Sequence, residues 1–357
     1  MVESILAAYG IAEKECSILA FGSGLINKTW KVEHAGRLYI LQRINHHVFR
    51  EPENIAKNIE RIGNYLKDKE PAYLFVEPVT TTAGEPMVYI EQEGYFRLFP
   101  FVPNSHTIDA VSSVNQAYEA AVQFGRFTRL LSGIDARLLH TTLPDFHNLT
   151  LRYQQFLQAI QKENNPRKEK AGEWIAYLEQ QAAIVDTYTN ILQSPSFKLR
   201  VTHHDTKISN ILFDDNDKGL CVIDLDTVMS GYFISDIGDM LRTYLSPVTE
   251  EEKDFSKIQI RDEFFLAIVK GYLSEMEQEL TAEEKKFFVY AGQFMIYMQA
   301  LRFLTDYLNN DIYYGQKYEG HNLLRAANQC TLLQKLTDRE QALLQLMNYT
   351  ESSTLVA

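Results

Sequence analysis

A strand-turn-strand segment set inside an otherwise helical stretch constrains this chain more than any other feature. From Pro103 onward apolar residues recur at helical spacing, in VNQAYEAAVQFGRFTRLL (114–131), LRYQQFLQAI (151–160), EWIAYLEQQAAIVDTYTNIL (173–192) and most of 257–345. RVTHHDTKISNILFDDNDKGLCVIDLDTV (200–228) breaks that rhythm once, with ILF (211–213) and LCVID (220–224) as strands around the turn DDNDKG (214–219). The residues able to do chemistry concentrate in this interruption: His203, Asp205, Lys207, Asn210, Asp224 and Asp226.

Folded as a hairpin, the segment returns Asp224, at the end of the second strand, beside Asn210, at the start of the first. Asp205 overhangs the same end from the preceding loop. Phosphoryl transfer needs such a set: one carboxylate to orient an attacking hydroxyl, and oxygen ligands for Mg²⁺ on the nucleotide phosphates. The His-x-Asp-x₄-Asn spacing is that of the kinase catalytic loop, and Lys207 stands where that loop carries a lysine that neutralises the γ-phosphate. Asp214, Asp215 and Asp217 read as acids that keep a turn solvated. Asp205, Asn210 and Asp224 border apolar strands, where an unpaired carboxylate is costly. For His203 two readings stay open, proton handling or support of the loop backbone.

The first hundred residues read as mostly β. CSILAFGSG and NKTWKVEHAGRLYILQRI are strand-like runs broken by Gly22, Gly24 and the turn at 34–36. EPENIAKNIERIGNYLKDK (51–69) carries Ile55, Ile59, Ile62 and Leu66 at helical spacing, with Pro52 in its first turn. YLFVEPV (73–79), PMVYIEQ (86–92) and GYFRLFPFV (94–102) read as three more strands. A length of 357 residues suits about two units at roughly 150 residues each. The expected division is 1–102, a nucleotide-binding lobe, and 103–357, a helical catalytic and acceptor-binding lobe. In FGSGLINKTWKV (21–32) the glycines permit backbone N–H groups to approach phosphates, so Gly22, Ser23 and Gly24 are candidate nucleotide contacts.

Forty-seven acidic against thirty-five basic residues leave a net charge of −12, which argues against a nucleic-acid partner. Cys16, Cys221 and Cys330 are odd in number and form no C-x-x-C pair, as expected of a reduced cytoplasmic protein. The N-terminus lacks a basic region ahead of an apolar one, and no apolar run approaches the ~20 residues of a membrane span.

VTHHDTKISNILFD together with LCVIDLDTVMSGYFISDIGDMLR resembles the paired motifs of the aminoglycoside phosphotransferase and choline kinase superfamily. FGSGLINKTWKV, YILQRINHHVF, YFRLFPFV, PDFH, THHDTKISN, VIDLDTVM and RFLTDYL are together most similar to the N-acetylhexosamine 1-kinases, from about residue 20 to 335. The resemblance implies an α+β, bilobal, protein-kinase-like fold with ATP in the cleft. It implies Asp205 as catalytic base, Asn210 and Asp224 as Mg²⁺ ligands, and Asp236 as a brace for the catalytic loop. RLFPFV (97–102), with Arg97 and Phe99, would be the hinge reading adenine. No Phe-Gly follows Asp224 and no Ala-Pro-Glu segment occurs, which speaks against a protein kinase. The strand expected to carry a phosphate-binding cation offers only Gln42 or Arg43. Strand alternation lets one of them face the cleft, and Arg43 is the chemically preferred choice.

In MIYMQALRFLTDYL (295–308), Arg302 and Asp306 stand four apart, either as a partly buried ion pair or with Arg302 facing the cleft. Tyr313, Tyr314 and His321 follow in a loop rich in aromatics. The 1-kinase resemblance puts Arg302 and Tyr313 among sugar-contacting positions; His321 and Asn27, where the glycine pattern ends, complete the candidate acceptor contacts. A kinase for choline, homoserine, a methylthio-sugar or an aminoglycoside is the alternative, with Glu251, Glu252, Asp254 and Asp311 available for a cation but reading as solvated surface. An inactive nucleotide-binding module is a third reading, opposed by Asp205, Asn210 and Asp224 together.

Overall fold

The computed structural model describes residues 2–12, 16–22, 26–162 and 164–354. After α1 (Val2–Ala8), β1 (Cys16–Ala20), β2 (Lys28–His34) and β3 (Arg37–Arg43) form an antiparallel meander. The β2–β3 turn has positive φ at Ala35 and Gly36, the two-residue geometry that matches strand twist. α2 (Pro52–Lys69) follows, then β4 (Val88–Ile90) and β5 (Gly94–Pro100), giving the strand order β1-β2-β3-β5-β4. The run 73–79 forms no strand. Its one ladder contact is a bridge from Val79 to Leu98, because Pro78 cannot donate to a neighbour.

One sheet face buries Val32, Leu41, Phe96 and Leu98 under Ile5, Leu6 and Ile11 in a small core. The other face looks into the cleft. α2 turns its apolar stripe, Ile55, Ile59, Ile62 and Leu66, into the large core of the helical part. Its buried Asn58 donates to the carbonyls of His140 and Val228 and accepts from His140 N. This helix is therefore hydrogen-bonded to the edge of the 200–228 segment.

The helical part comprises α3 (Val114–Leu130), α4 (Leu149–Gln161), α5 (Asn165–Gln180), α6 (Ala183–Gln193), α7 (Phe233–Tyr244), α8 (Asp262–Met276), α9 (Phe288–Leu308) and α10 (His321–Thr354). α9 is apolar nearly all round, as a central helix must be. Gly238, Gly271 and Gly292 let α7, α8 and α9 lie close to their neighbours: a Cβ at Gly238 would meet the Ala291 carbonyl at 2.4 Å. Two short strand pairs interrupt these helices. β6 (Arg200–Thr202) pairs with β9 (Met229–Gly231), and β7 (Ile211–Phe213) with β8 (Gly219–Val222). The molecule is thus a small antiparallel-sheet lobe on a larger helical part. Among the described residues no helix is long and apolar enough to cross a membrane.

Candidate active site

The β7–β8 hairpin forms as its sequence implies. Asp214 Oδ1 accepts from Asn216 N and Lys218 N and so organises the turn. At the other end Ile223 N donates to Asn210 O, which brings Asp224 beside Asn210. Asp224 takes a left-handed conformation, φ 58°, and His204 another, φ 65°. Both are strained for residues with a Cβ, and both flank the polar groups.

The loop before the hairpin is held from behind by α7. Asp236, fully buried, accepts from His203 N at 3.0 Å and His204 N at 2.7 Å. Thr206 Oγ1 donates to Asp236 O, Tyr244 OH to Thr206 O, and Thr227 Oγ1 to His203 O. Burial pushes Asp236 up to about 7 against the effect of its two N–H donors. His203 does not reach the cleft. Its ring is buried edge-on against Phe124 and Phe127, with Nε2 on the Ile223 carbonyl, and burial lowers its pKa. Of its two sequence readings, backbone support is the one these contacts describe.

Between sheet and hairpin lies a cleft of about 720 Å³. Its inner end is polar, with Thr29, Gln42, Asp205, Lys207, Asn210 and Asp224. Its outer end is lined by the apolar Ile40, Val76, Phe99, Phe101 and Val102, with Ser105, His106, Thr107 and Asp109 following them in the wall. Gly22 and Asn27 line the roof, and Ser23 and Gly24 lie outside the described residues. Phe99 stands at the wall expected of a hinge, whereas Arg97 is buried behind it.

Asp205 is 19% exposed and pairs with Lys207 Nζ at 2.9 Å. Burial works against its charge, but Lys207, His203 and Asn210 outweigh that, and its carboxyl stays below the usual range. Asp224 opens onto the cleft yet is enclosed on its other sides. That enclosure, then the carboxylates of Asp226 and Asp205, push it up to about 7. Asn210 Nδ2 donates to Asp205 O at 2.8 Å, which occupies the amide nitrogen and leaves the oxygen as the ligand atom. This donor set fits a hard divalent cation: a carboxylate crowded by other carboxylates, beside an amide oxygen. Among the described residues no cluster of three His, Cys, Asp or Glu could cage a metal. An ion here would complete its shell with phosphate and water, as Mg²⁺ does.

The register of β3 corrects the preference for Arg43. Gln42 shares the cleft face with Arg97, directly opposite on β5, whereas Arg43 points to the other face. There it meets Glu93 through Nη1–Oε2 at 3.1 Å and lies over the Phe96 ring. Arg97 is 2% exposed; its Nε and Nη2 donate to Gln42 Oε1 at 3.2 and 2.9 Å, and Nη2 lies 2.6 Å from Asp226 Oδ1. Asn27 Nδ2 donates to Asp226 Oδ2, and Asn27 Oδ1 accepts from Asn45 N, so its amide is already engaged with protein. Asp226, for which local spacing offers no partner, thus meets Arg97 and Asn27 from the sheet lobe.

On the helical side Arg302 does not pair with Asp306. Asp306 accepts from Tyr313 N, Tyr314 N and Asn322 Nδ2, and so ties down the loop after α9. Arg302 donates to Gln299 and lies over the rings of Phe146, Tyr313 and Tyr314. Phe146 stacks on His147, whose Nδ1 is 3.4 Å from that of His204, linking this cradle to the loop before the hairpin. His321 is buried against Tyr318 with Nε2 on Glu251 at 2.7 Å, so it braces the start of α10 and leaves no face for an acceptor. Asp311, read as solvated, is buried and paired with Arg167. An ionic chain that sequence reasoning missed runs beside Asp205: Asp239 pairs with Arg242, Arg242 with Glu250, and Glu250 with Arg325.

The model of the family described as "phosphotransferase enzyme family" matches residues 17–279. Among solved structures, the chain is similar to an aminoglycoside phosphotransferase from Alicyclobacillus acidocaldarius, with TM-score 0.60, 13% identity, and 97% and 96% of the two chains covered. A microcompartment-associated aminopropanol kinase gives TM-score 0.61 at 16% identity, covering 96% and 97%. A choline kinase from Cryptosporidium parvum gives 0.54 at 17%, covering 95% and 94%. At such identities the likeness carries the protein-kinase-like fold and leaves the acceptor open. With three-quarters of its length on that family model and the hairpin geometry above, the chain belongs to the phosphotransferase enzyme family.

Proposed function

We propose that this chain is an ATP- and Mg²⁺-dependent small-molecule kinase that phosphorylates the anomeric hydroxyl of an N-acetylhexosamine. The apolar outer end of the cleft suits a base and its polar inner end a triphosphate. Asn210 and Asp224 would hold Mg²⁺, which when bound supplies positive charge against the phosphate oxygens. Asp205, ionised at neutral pH, accepts a hydrogen bond from the attacking hydroxyl and aims its oxygen at the γ-phosphorus. A loose transition state needs that alignment more than a strong base, so a carboxylate of ordinary or lowered basicity suffices. Lys207, 48% exposed, is free to turn from Asp205 toward the charge that develops on the transferred group.

Arg302 is the observation that carries the acceptor reading. Among the described residues its guanidinium has no carboxylate partner, and it lies among three aromatic rings. A cationic acceptor such as choline wants the reverse, a ring cage with acids. Three of the acids nearby are held in ion pairs, Glu251 with His321 and Lys317, Glu250 with Arg242 and Arg325, Asp311 with Arg167, while the exposed Asp145, next to Phe146, accepts from Asn148 Nδ2. A guanidinium beside rings suits a neutral polyol, giving N–H donors to hydroxyls and ring faces to the sugar's C–H side. A coupled ADP-release screen over N-acetylglucosamine, N-acetylgalactosamine, choline, homoserine and aminoglycosides tests the proposal. Release with an N-acetylhexosamine supports it, and release with choline alone overturns the acceptor.

A further inference from the structure

The polar end of the cleft carries one lysine or arginine among its described lining residues, Lys207, and that side chain is paired with Asp205. A nucleotide triphosphate brings several negative charges to this end. Among the described lining residues the sheet contributes no lysine or arginine: Lys31, on the cleft face of β2 opposite Ile40, lies over the Phe101 ring at the apolar end, and Arg97 stands directly behind the polar surface.

Arg97 lies opposite Gln42 in the β3–β5 ladder, and two of its nitrogens donate to Gln42 Oε1. This fixes the amide, since the reverse orientation would set its NH₂ against the guanidinium. Gln42 Nε2 is then left with Thr29 Oγ1 at 3.5 Å, the outer limit of a hydrogen bond. Gln42 lines the cleft, on the same strand as Ile40 but two residues nearer the polar end. Behind it, Asp226 holds Arg97 by an ion pair and also receives Asn27, which lies in the roof segment. Asp226 is two residues from Asp224, so the Arg97–Asp226 pair joins the sheet to the hairpin carrying the metal-ligand candidates.

We infer that Gln42 binds a nucleotide phosphate through Nε2–H, and that Arg97 is a positioning residue that orients and polarises this amide. The inference rests on the nucleotide half of the kinase reading and is independent of the acceptor. An amide whose oxygen accepts two charge-assisted hydrogen bonds donates more strongly from its nitrogen. The guanidinium thus acts on the phosphate at one remove, while Asp226 keeps it from being buried unpaired.

The test is calorimetric titration of ADP and of adenosine into the whole protein and its variants. Gln42→Leu is expected to weaken ADP by about tenfold, the worth of one hydrogen bond to a charged group, and to leave adenosine within about twofold. Gln42→Glu should weaken ADP further, because it places a carboxylate against the phosphates. Arg97→Gln alone leaves Asp226 unpaired and threatens folding, so the Arg97→Gln/Asp226→Asn double variant is the informative one. It should bind adenosine as wild type does, lose ADP affinity selectively, and in turnover raise the KM for ATP more than it lowers kcat. A purely structural pair would weaken adenosine and ADP in parallel, and that result overturns the inference. So does a Gln42→Leu protein with wild-type ADP affinity. Wild-type protein that binds neither ligand overturns the nucleotide reading beneath it, whereas a wrong acceptor leaves these titrations unchanged.

Discussion

The loop at 203–210, proposed to be catalytic, and the loop at 309–320, proposed to meet the acceptor, are built alike and enclosed differently. Each is irregular, and each hangs from one buried carboxylate that accepts two successive backbone N–H groups: Asp236 takes those of His203 and His204, Asp306 those of Tyr313 and Tyr314. Each contains left-handed non-glycine residues, His204 in one, Asn310 and Asp311 in the other. The first loop is enclosed on both sides, by α7 and by the β7–β8 hairpin. The second is fixed at its base and open at its tip, where Ile312 and Tyr313 are 82% and 72% exposed. A group that must align a hydroxyl with a phosphorus tolerates little play, so its loop is locked. Acceptor contacts on an open tip can vary at little cost to the fold.

The sharpest break of this comparison comes from the locked loop. Asp205→Asn keeps the shape and removes the carboxylate, so turnover should fall by about two orders of magnitude or more with nucleotide affinity little changed. Near-normal turnover in a folded Asp205→Asn protein would remove Asp205 from the chemistry.

Removing the two anchors comes next. Asp236→Ala strands two buried N–H groups inside the catalytic loop and should cost about 2–4 kcal/mol in denaturant unfolding. Asp306→Ala strands two at the rim of an open loop, so it should cost less and act mainly by raising the acceptor KM. Equal stability losses with equal kinetic effects would erase the distinction between the loops.

The pH dependence of stability sharpens it further. Asp236 sits at about 7 in the folded chain, above its unfolded value of about 3.8. Between those values the folded chain keeps a proton that the unfolded chain has released. Its contribution is therefore full below about pH 4 and lost as pH rises to about 7. Unfolding free energy measured from pH 5 to 8 should show this downward component, and Asp236→Asn should flatten it. An unchanged slope would mean that Asp236 is ionised throughout.

The smallest effect belongs to the open tip. Tyr313→Ala should change stability by less than about 0.5 kcal/mol while raising the acceptor KM several-fold and leaving the KM for ATP alone. A matching rise in the KM for ATP would show that the loop acts on the whole cleft.

The same contrast explains what could be read in the sequence. Asn210 and Asp224 flank one hairpin and Asp205 stands in the loop just before it, so local strand and turn chemistry was enough to bring them together. The Ala35-Gly36 turn and the Ile55–Leu66 stripe were equally local. Other positions depended on remote partners. Whether Gln42 or Arg43 faces the cleft is decided by which sheet face packs under α1, and Arg43 finds its partner Glu93 fifty residues away. His321 looked free until Glu251, seventy residues earlier, closed over it. Asn27 meets Asp226 across 199 residues of chain. The run 73–79 had strand composition, but Pro78 and a single bridge partner left it without a ladder. Arg302 and Asp306 had the spacing of an ion pair, yet the loop N–H groups claimed the carboxylate and the aromatic rings claimed the guanidinium.

The central claim is transfer to the anomeric oxygen, and blocking that oxygen tests it directly. ADP release is measured with a free N-acetylhexosamine and with its methyl glycoside at equal concentration. The glycoside keeps the ring and its other hydroxyls, so it should still compete with the free sugar for the Arg302 cradle while accepting no phosphate. ADP release with the free sugar alone, and inhibition of that release by the glycoside, is the predicted result. A methyl glycoside phosphorylated as fast as the free sugar would place the transfer at another hydroxyl and contradict the account.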